Sequence, residues 1–242
     1  MLGIPTDKIP FDEDRASPDP TRLAARASLP RTVTRWPCPE GDNDPVQDEP
    51  TPTDSTEPEI RTLSTSVVYT DSWIRLRKDE IERSDGSRGT YAFLEKRDFA
   101  LVIPAENGGF HLVEEYRYPL GRRAWSFPQG GFPHGESGTD DELARAELAQ
   151  ETGLRAERLT HLGSFSAGHG STDQYCQAFL ATGLTQGPTD LEPEELGLVH
   201  EWVERGRFEE MISDALIIDD STLAAYALLL LAERRGDVNL TS

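Results

Sequence analysis

The chain has 242 residues, 24 Lys and Arg against 44 Asp and Glu for a formal net charge of −20, and 36% hydrophobic residues. That is enough apolar sequence for one substantial core with chain left over, whereas so negative a charge opposes unassisted attraction to DNA, RNA or an anionic membrane. With only Cys38 and Cys176, no signal-peptide pattern after Met1 and no long apolar span, a reduced, cytoplasmic chain with inert thiols is expected.

Of the 17 prolines, 11 lie before Glu59, in a stretch rich in Asp, Glu, Thr and Arg with little periodicity. Residues 1–58 therefore read as a disordered, acidic, proline-rich extension, and residues 59–242 as one folded domain. Strand signals begin near Thr62: residues 66–69, 73–76 and, after a turn at Asp85-Gly86, 91–94. Residues 99–103 and 110–113 form a further hairpin around Asn107-Gly108-Gly109. Thr139 with Glu142 three positions on is a capping box and Gly153 a stop, so a helix is predicted from about Asp140 to Thr152. Strands follow at 162–165, 174–180 and 199–203, then helices at 208–215 and 221–235. The class is α+β, a mixed sheet flanked by helices. The run Leu228 to Leu231 lies in a helix too short to span a membrane and suits a core or a subunit contact.

The chemistry concentrates between Gly130 and Leu154, where a glycine-rich loop meets the predicted helix. Glu147, Gln150 and Glu151 fall at i, i+3 and i+4 on one side, with the two carboxylates one turn, roughly 6 Å, apart. Acids so placed repel unless a cation lies between them, and Mg2+ takes hard oxygen ligands while bridging to phosphates. As a bare pattern the segment is also compatible with a solvated amphipathic helix whose Leu143, Leu148 and Leu154 face a core.

With loop, cap and stop in register, the segment resembles the Nudix hydrolase box, G-x5-E-x7-R-E-U-x-E-E-x-G-U with U aliphatic. Gly130 and Glu136 match its first part; Glu147, Leu148, Glu151, Gly153 and Leu154 match its second. Nine residues rather than seven follow Glu136, Ala146 replaces the arginine, and Gln150 replaces one glutamate. The flank from Val113 to Gly130 is similar to ADP-ribose pyrophosphatases, although Ser126 and Gln129 stand where that subgroup often has an acid and an alanine. The resemblance implies a Nudix fold with N-terminal antiparallel strands and a homodimer built on roughly residues 64–97. It also implies Mg2+, with Mn2+ as a substitute, held by Glu147, Glu151 and the main-chain carbonyl of Gln129. Arg117, Arg122 and Arg123 are candidates for substrate phosphates, since guanidinium suits bidentate recognition; each is equally readable as surface charge.

Catalytic candidates are Glu147, Gln150 and Glu151, with Glu151 expected to be exposed to a cleft. The resemblance also places an acidic catalytic residue in a loop at this point of the chain, so that Glu194 or Glu195 could supply the base if Gln150 does not; as bare sequence residues 191–196 are equally a solvated acidic loop. Residues 166–173 read as a glycine turn in which His169 or Asp173 could touch ligand, and His111, His134, His161 and His200 show no ligand spacing. The implied reaction is hydrolysis of a nucleoside diphosphate linked to a group X, ADP-ribose or another nucleotide sugar, to nucleoside monophosphate and sugar phosphate. Two alternatives remain: a catalytically weakened nucleotide-sugar sensor, marked by Gln150 and Ala146, and a dinucleoside polyphosphate or RNA-end hydrolase. The partners implied are a small nucleotide-sugar substrate and a second copy of the chain, with neither nucleic acid nor membrane.

Overall fold

The computed structural model describes residues 58–132, 137–189 and 197–240, and these separate into two units. The first contains most of a three-stranded antiparallel sheet in the order β1 (Ile60–Thr70), β2 (Arg75–Arg83), β3 (Arg88–Glu95). The Asp85-Gly86 turn forms as predicted: the Ser87 amide donates to Asp85 Oδ1 at 2.8 Å and Gly86 takes φ +78°. Trp73, expected in a strand, sits in the preceding turn instead. Asp71 Oδ1 accepts from the amides of Trp73 and Ile74, both at 2.8 Å, a local bond that competes with sheet pairing. On β2 the buried Asp79 receives both Nε (2.8 Å) and Nη2 (2.6 Å) of Arg77, which lets a charge sit beside buried Ile81. Along β1 almost every residue is exposed, Ile60, Val67 and Val68 among them.

The second unit is built on a mixed sheet whose main path is β10-β5-β4-β9-β8. These strands are β4 (Phe99–Glu106), β5 (Gly109–Arg117), β8 (Leu154–Ser166), β9 (Tyr175–Gln186) and β10 (Val199–Glu204). Two short strands join it, β6 (Arg122–Ser126) on β5 and β7 (Gln129–Gly130) on β4. β4 and β9 run parallel from Phe99↔Cys176 to Pro104↔Ala181, whereas β10 with β5, β4 with β5 and β7, β5 with β6 and β8 with β9 pair antiparallel. The helices are α1 (Asp140–Thr152), α2 (Arg205–Ser213) and α3 (Asp220–Arg235).

β4 shows why the sheet lies between helices. Its residues 100–105 are all buried, the mark of a strand covered on both faces. Leu101, Ile103 and Ala105 join a cluster with Phe110, Phe127, Phe208, Met211 and Leu229 on the α2/α3 side. Ala100 and Val102 join a second with Leu143, Ala144 and Leu148 of α1. Each large aliphatic side chain fully removed from water contributes about 1.5–3 kcal/mol, so β4 anchors both layers. Of the leucine run, Leu229 is fully buried and Leu228 packs on the core, whereas Leu230 and Leu231 are exposed.

The predicted mixed sheet flanked by helices is what forms. β6 and β7 lie in the stretch whose sequence shows no strand pattern, β7 with two residues and β6 opening on two arginines, and β8 begins eight residues earlier than expected, directly after Gly153. The helix expected at 208–215 forms at Arg205–Ser213, where the side chain of Glu204 accepts from the Arg207 amide and so sets the start; Ala215 is already at φ +54°.

Candidate active site

Helix α1 has the predicted boundaries for the predicted reasons. Thr139 Oγ1 accepts from the Glu142 amide at 3.2 Å while Glu142 Oε2 accepts from the Thr139 amide at 2.8 Å, closing the capping box. Asp140, Asp141 and Glu142 fill the first turn, where acids complement the helix dipole. At the other end Gly153 is left-handed, φ +74°, and its amide donates to the Ala149 carbonyl at 2.9 Å. A Cβ there would also lie 2.5 Å from the Gly187 carbonyl oxygen, so glycine is required twice over.

Leu143, Ala144 and Leu148 pack into the core, and this apolar stripe rotates the helix so that Glu147 and Glu151 face inward beside it. The expectation that Glu151 opens to a cleft is not met: it is 6% exposed, and Glu147 is 8% exposed. The cause is the close approach of α1 to β4 and β7, which small residues permit. Gly130 is decisive. A Cβ on it would fall 2.4 Å from Glu147 Oε2 and 2.6 Å from Oε1, so any side chain here would push this carboxylate away from the loop backbone. Gln150, at i+3 from Glu147, is half-buried.

The backbone entering that contact is held on successive residues. Phe127 N donates to Thr222 Oγ1 at 3.0 Å, the Pro128 carbonyl accepts from Val102 N at 2.9 Å, and Gln129 Nε2 donates to Asp219 Oδ2 at 3.1 Å. β7 then pairs with β4 through Leu101↔Gln129 and Ala100↔Gly130. Asp219 is the N-cap of α3, its Oδ2 accepting from the Thr222 amide at 2.8 Å. Sequence reasoning did not single out Asp219 and Thr222. The signal was the run Asp219-Asp220-Ser221-Thr222 ahead of an apolar helix, a capping pattern that says nothing about where the helix points.

The three arginines lie on the β5–β6 hairpin, whose tip is a 3-10 turn at Tyr118–Leu120. Each has a protein partner: Arg117 Nη2 with Glu115 Oε1 at 2.6 Å, Arg122 Nη2 with the Ala215 carbonyl at 3.3 Å, and Arg123 Nε with Glu114 Oε2 at 2.6 Å. Arg123 Nη2 also reaches the carbonyls of Glu114 (2.7 Å) and Gly197 (2.9 Å). In the 166–173 segment, Asp173 Oδ1 accepts from the Lys96 amide at 3.0 Å, a bond that ties this turn to the chain just after β3. Glu136, His134, Glu194 and Glu195 lie outside the described residues.

Two histidines without ligand spacing in sequence meet through strand pairing, since β10 lies beside β5. His111 Nε2 is 2.9 Å from Glu106 Oε1 and His111 Nδ1 is 2.9 Å from His200 Nε2. A carboxylate only accepts, so His111 donates from Nε2 to Glu106, and the direction of the bond between the two rings follows from their tautomers. Burial first, and then the neighbouring His111 ring, push His200 down to about 4. Cys176 is fully buried, and burial followed by the nearby Asp219 and Asp220 pushes its thiol up, so it stays protonated.

Among the described residues no three His, Cys, Asp or Glu side chains converge as a metal cluster. The donors that do converge are hard oxygens: two carboxylates a turn apart, both largely withdrawn from water, with the glycine loop's backbone pressed against one of them. This set fits a magnesium-like cation that completes its shell with water and phosphate oxygens, and it does not fit a soft or closed site.

The family model for the nucleoside diphosphate sugar hydrolase N-terminal domain matches residues 60–94, and that for the NUDIX domain matches residues 95–222. An ADP-ribose pyrophosphatase of Mycobacterium tuberculosis is 30% identical over 149 residues, 60% of this chain and 71% of that protein. The methanol dehydrogenase activator of Bacillus methanolicus is 26% identical over 180 residues, 72% and 95% of the two chains. A crystal structure of an ADP compounds hydrolase aligns with a TM-score of 0.65 at 20% identity, over 75% of this chain and 98% of that one, a likeness of fold. The NUDIX match spans more than half of the sequence and contains the capped helix, the glycine loop and both inward glutamates, so the chain belongs to the Nudix hydrolase family.

Proposed function

We propose that the chain hydrolyses the diphosphate of a nucleoside diphosphate linked to a group X, with ADP-ribose the first substrate to test, releasing nucleoside monophosphate and a sugar phosphate. The observation that carries the reading is the pair Glu147 and Glu151, buried on one face of α1 with Gly130 in contact with the first. The match of residues 60–94 to the N-terminal domain of nucleoside diphosphate sugar hydrolases supports the substrate class.

Glu147, Glu151 and the Gln129 carbonyl would hold Mg2+ or Mn2+, which when bound offsets the charge of the diphosphate oxygens that otherwise repel an incoming nucleophile. The chain's own part is orientation and proton handling. Water attacks one phosphorus, the bridging P–O bond breaks, and a base removes the proton of the water. Gln150 offers an amide oxygen as acceptor but no useful basicity, and the base proposed in its place is Glu194 or Glu195. Arg117, Arg122 and Arg123 are proposed to reach substrate phosphates by exchanging present partners for bidentate contacts. A second copy of the chain is proposed to cover the exposed apolar side chains of β1, Ile60, Val67 and Val68.

The test is a panel of ADP-ribose, ADP-glucose, UDP-sugars, NADH, Ap4A and nucleoside triphosphates with Mg2+ or Mn2+, scored for nucleoside monophosphate. Release from ADP-ribose or another nucleotide sugar supports the proposal. Preference for Ap4A overturns the substrate class, and binding without product on every compound favours a sensor.

A further inference from the structure

We infer that Asp219 is a positioning residue for this reaction, acting through Gln129 to set the loop carbonyl and Gly130 against the Glu147–Glu151 face; the inference rests on the function proposed above. Three consecutive residues before Gly130 each have one directional bond, and two of the three go to the first turn of α3. Both acceptors there are fixed in turn. Thr222 is fully buried, and Asp219 Oδ2 accepts from the Thr222 amide at 2.8 Å as well as from Gln129 Nε2 at 3.1 Å. Its carboxylate therefore caps the helix and grips the loop with one oxygen. Phe127 has no exposed surface, so the loop cannot slide along α3 without also dislodging an aromatic ring from the core.

Gly130 follows directly, in contact with the Glu147 carboxylate. Gln129 and Gly130 are adjacent, so a shift of the Gln129 carbonyl moves the backbone that meets the Glu147 carboxylate. Groups that orient a ligand without touching the metal typically change its affinity or the activity by about 10- to 100-fold, and small misplacements at a reacting centre are costly. The clasp links a helix near the end of the described chain to a loop some 90 positions earlier in sequence.

Variants at the two partners separate the cap from the grip. Asp219→Ser keeps an N-cap hydroxyl but is too short to reach Gln129, Gln129→Leu removes the donor and leaves the cap intact, and Asp219→Asn offers one oxygen to both donors. Mn2+ binding followed by electron paramagnetic resonance, nucleotide-sugar kinetics and thermal melting would be compared across the three and the Asp219→Ser/Gln129→Leu double variant. Expected are about 10-fold weaker Mn2+ binding and a fall of similar size in kcat for Asp219→Ser and Gln129→Leu, with no further loss in the double variant, melting close to wild type and Asp219→Asn within about two-fold of wild type. Wild-type levels in both single variants, additive losses, or an Asp219→Asn defect equal to that of Asp219→Ser would overturn the inference alone. A wild-type protein that neither binds Mn2+ nor releases product sinks the functional reading and this inference with it.

Discussion

The two faces of the mixed sheet are built from different materials. On the α2/α3 side the core is aromatic: Phe110, Phe127, Phe208 and Tyr226 meet edge-on or stacked with centroids 4.8–5.9 Å apart. Arg205 lies 5.9 Å from the Phe110 centroid and 5.6 Å from that of Tyr226, and forms a bidentate pair with Glu233 at 2.8 and 2.6 Å. On the α1 side the cluster is aliphatic apart from Phe179, with Leu143, Leu148 and Leu154 beside Ala100, Val102, Ala144 and Ala181, and two glutamates are buried next to it. Large rings make a stiff platform, whereas small residues allow helix and strand to approach closely enough to bring acid groups against backbone. Stability and chemistry are thereby divided between opposite faces of one strand, β4.

That division predicts opposite phenotypes on the two faces. The largest effect expected is from Glu151→Gln, which should lower kcat by on the order of 10²–10⁴. Because the substitution removes a buried charge and keeps the shape, its melting temperature should stay within about 4 °C of wild type. Turnover near wild type in that variant would remove Glu151 from the site, and a collapse of the fold would show the division to be wrong. Met211→Ala, on α2 and away from the loop bonds to α3, should do the reverse, costing about 2–5 kcal/mol in urea unfolding while the folded fraction retains wild-type kcat.

Gly130→Ala acts on the α1 face alone, because the added methyl would press on the Glu147 carboxylate rather than on a core ring. A loss of about 100-fold in kcat with about 1–3 kcal/mol of destabilisation is expected, read by kinetics and denaturation together. The smallest effect concerns pH. His200 is held neutral in the fold, with protonation pushed down to about 4, whereas an unfolded histidine takes its proton near 6.5. The unfolded chain therefore binds more protons between those values, and stability must fall as pH drops from about 6.5 to 4 and level off below. For this half-buried ring the loss, discounted for solvent screening, is about 1 kcal/mol. Unfolding at pH 7 and pH 5 would measure it, and His200→Gln should remove that part of the slope.

Legibility differed with the range of the forces involved. The limits of α1 were readable because capping box and left-handed glycine act within four residues, and the Nudix resemblance rested on the same short stretch. The burial of Glu151 was not readable, since helical spacing gives a relative direction only; which side faces the sheet follows from how near Gly130 and Ala100 let it come. Gln129 was named for its carbonyl alone, and its side-chain bond to Asp219 joins positions 90 apart. The histidine chain through Glu106, His111 and His200 depended likewise on β10 lying beside β5, an order that periodicity does not encode.

By itself the sequence determined the limits of α1, the order of most strands and helices in the folded domain, and that two acids lie one turn apart behind a glycine loop. These follow from caps, turn residues and apolar spacing, all of which act between near neighbours. Only the tertiary structure decided that those acids are withdrawn from water, that α3 grips the loop before Gly130, and that the three arginines rest on protein acceptors. Such outcomes depend on packing between distant segments, where a missing Cβ or one shared carboxylate oxygen sets the distance.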